Sequence, residues 1–229
     1  MINKIKTHNK KNNLSFDAKH HKYFVNGVEF KSVTKTLSKY FPFEREKIAD
    51  ELAKRNSVSK KEILRSWDEV KDNGSLVHDL IDGYLKNKEL SSDELIKIKP
   101  AIDFLKENNY EILASEIRVF SSKFKVAGTI DLLVKDSKGN ILIFDWKTNK
   151  KNIDKKEVFE MAKHPFSEFP NNKFYLYSMQ LSFYSLILKE EYGIEVYDCF
   201  LIHLSDTFKV IDILNLKPDL LDNIYIIQK

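Results

Sequence analysis

Residues 128 to 150 read GTIDLLVKDSKGNILIFDWKTNK and predict a β-hairpin at the centre of an α/β fold. Two apolar runs, IDLLV and ILIF, flank the turn sequence DSKGN, in which Gly139 can adopt the positive φ angle of a tight turn. Apolar runs without alternation are typical of strands that are buried on both faces. The hairpin is therefore expected to lie inside the protein.

Three charged residues interrupt these apolar runs: Asp131, Asp145 and Lys147. A turn that is symmetric about Lys138 places Asp131 opposite Asp145, with Cβ atoms roughly 4.5 to 5.5 Å apart. Because side chains alternate along a strand, Lys147 lies on the same face as Asp145, and Trp146 points to the other face. The sequence therefore predicts that two carboxylates and an ammonium group converge.

Two carboxylates at that distance repel each other unless a positive charge neutralises them. A hard divalent cation such as Mg²⁺ is held by carboxylates, polarises a phosphoryl oxygen and activates water. Lys147 could orient that water or stabilise charge on a phosphate. The hairpin alone leaves open a solvent-facing alternative, in which Lys147 forms an ion pair with Asp131. The buried character of both strands favours the metal site.

The composition limits the class of protein. The chain has 229 residues, 42% of them hydrophobic, which is enough for a substantial core, and a formal net charge of +4. That charge permits a nucleic-acid partner without establishing one. No apolar run reaches the roughly 20 residues of a membrane span, so no membrane association is expected. The basic segment 1–13 lacks the apolar stretch of a secretory signal, so we predict a disordered leader and a cytoplasmic protein, in the host cytoplasm if it is viral.

The rest of the chain divides into a helical part, 14–109, and a core, 110–229, which we expect to form one compact unit. In the first part, YFVNGVEF predicts a hairpin around Asn26-Gly27, and Ser32 is placed to cap a helix that extends to about Tyr40. Further helices are predicted at about 44–55, 59–71, 74–87 and 92–108. In the core, the pattern predicts strands at 110–121, 126–135 and 141–147, a helix at about 174–192 ended by Gly193, and a closing hairpin within 195–214.

Four short motifs resemble a known family. Asp131, followed after thirteen residues by DWK, resembles the signature of the PD-(D/E)xK nuclease superfamily, and specifically of its RecB-like exonuclease branch. GSLVHD, SEIRVF and QLSFY are similar to the branch's G-x-x-x-H motif, its strand glutamate and its Q-x-x-x-Y helix, and they occur in the same order. The resemblance spans roughly residues 30 to 190, and phage-encoded and mitochondrial single-strand exonucleases are the most similar members.

The resemblance implies a restriction-endonuclease-like core, a central mixed sheet flanked by helices, with a helical N-terminal elaboration. Carried over residue by residue, it implies metal ligands: His78, Asp131, Asp145 and the backbone carbonyl of Trp146. It implies catalytic roles for Asp131, Asp145, Lys147 and Glu116. It also implies that Gln180 and Tyr184 contact the substrate.

Each accessory residue also has an ordinary structural explanation. A lone histidine on a helix, such as His78, is more often structural than a ligand. Glu116 could be an exposed strand residue. Gln180 and Tyr184 lie four residues apart and share one helix face, which could belong to the core.

We therefore expect a DNA exonuclease that uses Mg²⁺ or Mn²⁺, prefers single strands with a free end and acts in replication, repair or recombination, with unidentified protein partners. The alternatives are a structure-specific endonuclease on the same fold and a non-catalytic nucleic-acid-binding module. The single cysteine, Cys199, is incompatible with the four-cysteine iron–sulfur cluster of some relatives. No phosphate-binding loop sequence is present, so ATP use is not expected. Tyr40, Phe41 and Phe43 surround Pro42, where they could stack on bases or form a hydrophobic staple.

Overall fold

The computed structural model describes residues 1–205 and 208–214; the remaining residues of the predicted core lie outside the described ones. Its helices, in chain order, are α1 (Ile2–Lys11), α2 (Val33–Leu37), α3 (Arg45–Asn56), α4 (Lys60–Leu85), α5 (Ser92–Glu107) and α6 (Lys173–Tyr192). Its strands are β1 (Ser15–Asp17), β2 (Lys22–Val25), β3 (Val28–Ser32), β4 (Glu111–Ser121), β5 (Val126–Lys135), β6 (Ile141–Lys147), β7 (Asp198–His203) and β8 (Lys209–Asp212). The predicted mixed sheet flanked by helices is confirmed.

The central hairpin, β5 with β6, has the predicted register. Leu132 pairs with Phe144 and Leu133 with Ile143, as a turn symmetric about Lys138 requires. Gly139 has a φ angle of 88°, which a residue with a side chain rarely adopts. The ladder ends one position before Asp131 and Asp145, and there the Asp131 carboxylate accepts a hydrogen bond from the Trp146 backbone N–H at 2.9 Å.

The two edges of β5 are used differently. β4 pairs antiparallel along almost the whole of one edge, whereas β6 and β3 share the other. β6 takes residues 132–135, and β3 takes residues 126 and 127 in parallel orientation. On this edge, residues 128–131 therefore lie between the part of β5 that pairs with β3 and the part that pairs with β6, and Asp131 is the last of them. β7 and β8 extend the sheet beyond β6.

Two apolar clusters cover the sheet. The larger one packs α1, α2 and α6 against the sheet, and the smaller one packs α4 and α5. Trp146 belongs to the smaller cluster, with Val77 of α4, whereas Lys147 contacts Tyr177 of α6. The predicted alternation of these two neighbouring side chains is confirmed.

The structure differs from the sequence-based expectation in the helical part. The predicted helices 59–71 and 74–87 form one helix, α4, which begins at a capping box between Ser59 and Glu62. The break predicted at residues 72 and 73 is absent, and Gly74 lies inside the helix. The other boundaries are close to those predicted: Ser32 caps α2 and Gly193 ends α6 with a φ angle of 61°.

The N-terminal segment also differs from expectation. Residues 2–11 form α1 and not a disordered leader, because Ile5 is fully buried and His8 stacks on Phe120 with ring centroids 5.3 Å apart. The Tyr192 hydroxyl donates a hydrogen bond to the Asn9 side chain at 2.7 Å. The division of the chain at residue 109 stays a prediction, and strands from both parts share one sheet. Within the described residues, no helix combines the length and apolar character needed to span a bilayer.

Candidate active site

The site begins with a close approach of α4 to the end of β6. A Cβ atom on Gly74 would lie 2.8 Å from Oγ1 of Thr148, so a larger residue would push the helix away from the strand. One turn later, Nε2 of His78 donates a hydrogen bond to the Trp146 carbonyl at 3.0 Å. The two ends of the G-x-x-x-H motif thus have different roles. The glycine allows the close approach of helix and strand end, and the histidine forms a hydrogen bond to the strand.

The other ring nitrogen of His78 faces two carboxylates. Nδ1 lies 3.4 Å from Oδ2 of Asp131 and 3.8 Å from Oε1 of Glu116. Ligand atoms of these three residues all lie within 4.8 Å of one another. Since the Trp146 carbonyl fixes the orientation of the ring, Nδ1 is the atom available to a cation between the carboxylates. The predicted carbonyl ligand is therefore the hydrogen-bond partner of the histidine in this structure.

Three carboxylates form a row across three strands. In the β4–β5 ladder, Ser115 pairs with Leu132 and Ile117 with Ile130, which places Glu116 opposite Asp131. The β5–β6 register places Asp145 on the other side of Asp131. Glu116 has a φ angle of 49°, an unfavourable value for a residue with a side chain, and strained backbone of this kind clusters at functional sites. The local backbone of β4 thus departs from ideal strand geometry at the residue that faces His78.

Asp145 and Lys147 form a buried ion pair at the end of β6. The Asp145 carboxylate is almost fully buried, and apart from this ammonium its Oδ2 has no hydrogen-bond partner within residues 1–205 and 208–214. Burial raises the pKa of Asp145 to about 6, although Lys147 opposes the shift. Burial would lower the pKa of Lys147, but Asp145 raises it above its usual range. Lys147 is therefore held as an ammonium group beside a carboxylate.

The charges of the histidine cluster are also shifted. Burial lowers the pKa of His78, but Asp131 and Glu116 outweigh it and raise that pKa to about 10. Burial raises the pKa of Glu116. Burial would raise the pKa of Asp131 as well, yet His78 and Lys147 lower it. A protonated His78 thus places a positive charge beside the Asp131 and Glu116 carboxylates.

A divalent cation fits this set of donors. An imidazole nitrogen and carboxylate oxygens are a donor set that suits Mg²⁺ or Mn²⁺, with the oxygens as the preferred ligands. Loss of the His78 proton would leave three carboxylates, one ammonium group and the dication, whose charges of −3, +1 and +2 cancel. His78, Glu116 and Asp131 would hold the ion, and Asp145 stands next to them in the row.

Gln180 and Tyr184 lie on α6, and Tyr184 packs against Gly128 of β5. The Gln180 amide donates to the Tyr184 hydroxyl at 3.4 Å, and both side chains are buried. A Cβ atom on Gly128 would lie 2.6 Å from the Tyr184 hydroxyl, so the strand approaches the helix at the glycine of the G-x-x-D segment. Tyr184 also belongs to the larger apolar cluster. Substrate contact by these two residues stays a prediction.

One contact of Lys147 was not predicted from the sequence. The Lys147 ammonium lies over the ring of Tyr177, 4.4 Å from its centroid, and the Tyr177 hydroxyl donates to Asn149 at 3.4 Å. Tyr177 precedes Gln180 by three residues and Tyr184 by seven, so it lies on the same helix face. That spacing was the available signal.

The comparison with protein families matches the chain to a nuclease superfamily. A model of the PD-(D/E)XK nuclease superfamily matches residues 35–221. No curated protein matches the chain. One similar solved structure is a candidate exonuclease from Eubacterium rectale, at 12% identity and a TM-score of 0.38, with 67% of this chain and 62% of that chain covered. Another is SSO0001, at 16% identity and a TM-score of 0.34, with 70% and 75% covered. The chain thus spans less than two thirds of the first structure's length.

Proposed function

The chain belongs to the PD-(D/E)XK nuclease superfamily, and we propose that it is a metal-dependent DNA exonuclease that prefers single strands with a free end. The observation that carries the catalytic proposal is the cluster of His78, Glu116 and Asp131 beside the buried pair of Asp145 and Lys147. A non-catalytic binding module would not need a row of carboxylates with an ammonium group beside it. The match to the superfamily supports a nucleic-acid substrate.

We assign the metal site to His78, Glu116 and Asp131, with Asp145 next to it, and Mg²⁺ or Mn²⁺ to that site. A bound divalent cation would polarise a phosphoryl oxygen and acidify a water molecule. The residues themselves keep the donors in place, because the Trp146 carbonyl fixes the histidine ring and the Trp146 N–H fixes the Asp131 carboxylate. The backbone of a single residue, Trp146, therefore orients two metal-binding side chains that come from different elements.

Lys147 is the residue we expect to act on the substrate. Its ammonium group is confined between the Asp145 carboxylate and the face of Tyr177. In such a low-dielectric place, a fixed positive charge stabilises the negative charge that develops on a phosphate during hydrolysis. Asp145 would thus serve both as a neighbour of the cation and as the group that holds the lysine.

The preference for a free single-stranded end rests on the resemblance to single-strand exonucleases and on the helical segment that precedes the core. The direct test compares end-labelled linear DNA with covalently closed single-stranded circles, in buffer with Mg²⁺ or Mn²⁺ and in buffer with EDTA. We expect cleavage of linear strands only, and only with the metal. Rapid cleavage of intact circles would favour the alternative, an endonuclease on the same fold. Full activity in EDTA would contradict the metal site itself.

A further inference from the structure

Phe43 and Phe159 are exposed and Trp67 is half-buried, whereas most aromatic residues of the described part of the chain are buried or half-buried. The exposed fractions of Phe43 and Phe159 are 61% and 80%. Phe43 packs on the half-buried ring of Trp67, with centroids 5.4 Å apart. In contrast, Tyr40 and Phe41, next to Phe43 in sequence, are buried against Phe166. Exposed apolar groups that lie together often mark a binding surface. We call Phe43, Trp67 and Phe159 the aromatic rim.

The first half of the rim lies on the same helix face as the metal-ligand histidine. Trp67 precedes Gly74 by seven residues and His78 by eleven, which at 3.6 residues per turn is close to two and three full turns. The face is directed toward the end of β6, because Gly74 approaches Thr148 there. At 1.5 Å per residue, Trp67 lies about 16 Å from His78 along α4. A strand with the ~3.4 Å rise of B-form DNA covers that distance in about five nucleotides.

The second half of the rim is tied to the first. Phe159 belongs to the segment that follows Lys147, and this segment is attached to the connection that carries Phe43. The Lys163 N–H donates to the Tyr40 carbonyl at 2.8 Å, and the Asn171 side chain donates to the Pro42 carbonyl at 2.9 Å. The segment therefore links the catalytic strand to the surface around Phe43.

The charge near the rim suits a polyanion. Residues 148–163 contain five lysines against three acidic residues. Lys151 lies with its ammonium 5.7 Å from the centroid of the Phe159 ring and also forms an ion pair with Glu157. Aromatic faces beside cationic groups bind unpaired bases and their phosphates, whereas the bases of a duplex are stacked inside.

We propose that the aromatic rim is a stacking platform for the unpaired bases of the DNA strand that enters the active site. The platform would hold nucleotides a few positions from the scissile bond without reading their sequence, because every base has a π-face. The inference rests on the proposed nuclease function, and it names the surface that would give the preference for single strands.

The test measures binding of a labelled 20-nucleotide oligo(dT) and of an abasic strand of equal length, by fluorescence anisotropy in EDTA buffer at a fixed salt concentration. The wild-type protein should bind oligo(dT) more tightly than the abasic strand. Phe159→Leu and Phe43→Leu should each weaken oligo(dT) binding about 5- to 150-fold and leave abasic binding unchanged. Phe159→Trp should retain the affinity, since it keeps a π-face. Equal affinities for the two strands in the wild-type protein would overturn the proposal.

Tyr197→Leu is the matched control. Tyr197 is 70% exposed, but its N–H bonds to the carbonyl of Ile141, at the opposite end of β6 from Lys147. A loss of oligo(dT) affinity in this variant as large as that in Phe159→Leu would overturn the proposal. So would a change from dimer to monomer in Phe43→Leu, because a second copy of the chain would then cover the rim.

Hydrolysis of bis(p-nitrophenyl) phosphate with Mn²⁺ separates this inference from the proposed function. This diester has no bases, so the rim variants should hydrolyse it as fast as the wild-type protein. An inactive wild-type protein would contradict the nuclease proposal. Unchanged oligo(dT) binding in both rim variants, with normal diester hydrolysis, would contradict the rim alone.

Discussion

Replacing Lys147 with alanine leaves a buried carboxylate without its ammonium partner. The side chains of Lys147 and Asp145 are 14% and 3% exposed, so water cannot readily take the place of the lysine. Breaking a buried pair from one side typically costs about 3 to 5 kcal/mol. For a chain of this size, that loss lowers the melting temperature by roughly 6 to 20 °C. We expect this result for the metal-free protein at pH 8.

The loss should be smaller at pH 5. The pKa of Asp145 is raised to about 6 by burial, and removal of Lys147 raises it further above its unfolded value of about 3.9. A carboxyl whose pKa is higher in the folded state favours folding at low pH, and this advantage is lost as pH rises through the folded pKa. The difference in stability between the variant and the wild-type protein therefore increases as the pH rises from 5 to 8.

Urea unfolding in EDTA buffer at both pH values measures the effect, and Lys135→Ala is the control. Lys135 also forms an ion pair, with Glu111, but the two side chains are 38% and 57% exposed. Such a pair contributes no more than about 1 kcal/mol. Equal stability losses in Lys147→Ala and Lys135→Ala would refute the argument that breaking the buried pair costs more than breaking an exposed one. A loss that does not change with pH would refute the part assigned to the Asp145 carboxyl.

The same variant separates binding of the metal from catalysis. Asp145→Asn should weaken both Mn²⁺ binding and cleavage, because it removes a charge next to the cation. Lys147→Ala should leave Mn²⁺ binding intact or stronger and still reduce single-turnover cleavage, since one well-placed charge in a dry site is worth roughly 3 to 4 kcal/mol. Calorimetric titration beside a cleavage assay distinguishes the two. Cleavage by Lys147→Ala at the wild-type rate would exclude the role assigned to the lysine.

Three further outcomes are expected. Without metal, the Glu116→Gly variant should be as stable as the wild-type protein or up to about 1 kcal/mol more stable, because glycine adopts the positive φ angle freely. Calorimetry should nevertheless show weaker Mn²⁺ binding by this variant. Asp131 raises the pKa of His78 to about 10, so Mn²⁺ binding at pH 7 should release about one proton and become tighter as pH rises. Calorimetry in buffers of different ionisation enthalpy measures the released proton, and a binding heat that is the same in all of them would contradict this prediction. Gly128→Ala, whose Cβ would meet Tyr184, should lower the free energy of unfolding by about 1 to 3 kcal/mol in urea, and wild-type stability would show that the helix can move away.

Local patterns were sufficient for much of the fold. The period of two along the strands, together with a symmetric turn, predicted the register of β5 and β6 to the residue. Ser32 and Gly193 marked helix ends correctly because a cap depends on residues next to each other in sequence. The break predicted at residues 72 and 73 was wrong: α4 continues through Gly74, which lies close to the Thr148 side chain just after β6.

The hairpin that carries Asp131, Asp145 and Lys147 could be predicted from the sequence alone, because pairing and alternation are short-range properties of neighbouring strands. The positions of His78 and Glu116 beside it depend on tertiary packing. His78 depends on how closely α4 packs against β6, and Glu116 depends on a backbone angle that strand periodicity does not predict. Both depend on packing between elements that are distant in the chain, and the residue pattern of one segment does not predict how closely such elements pack.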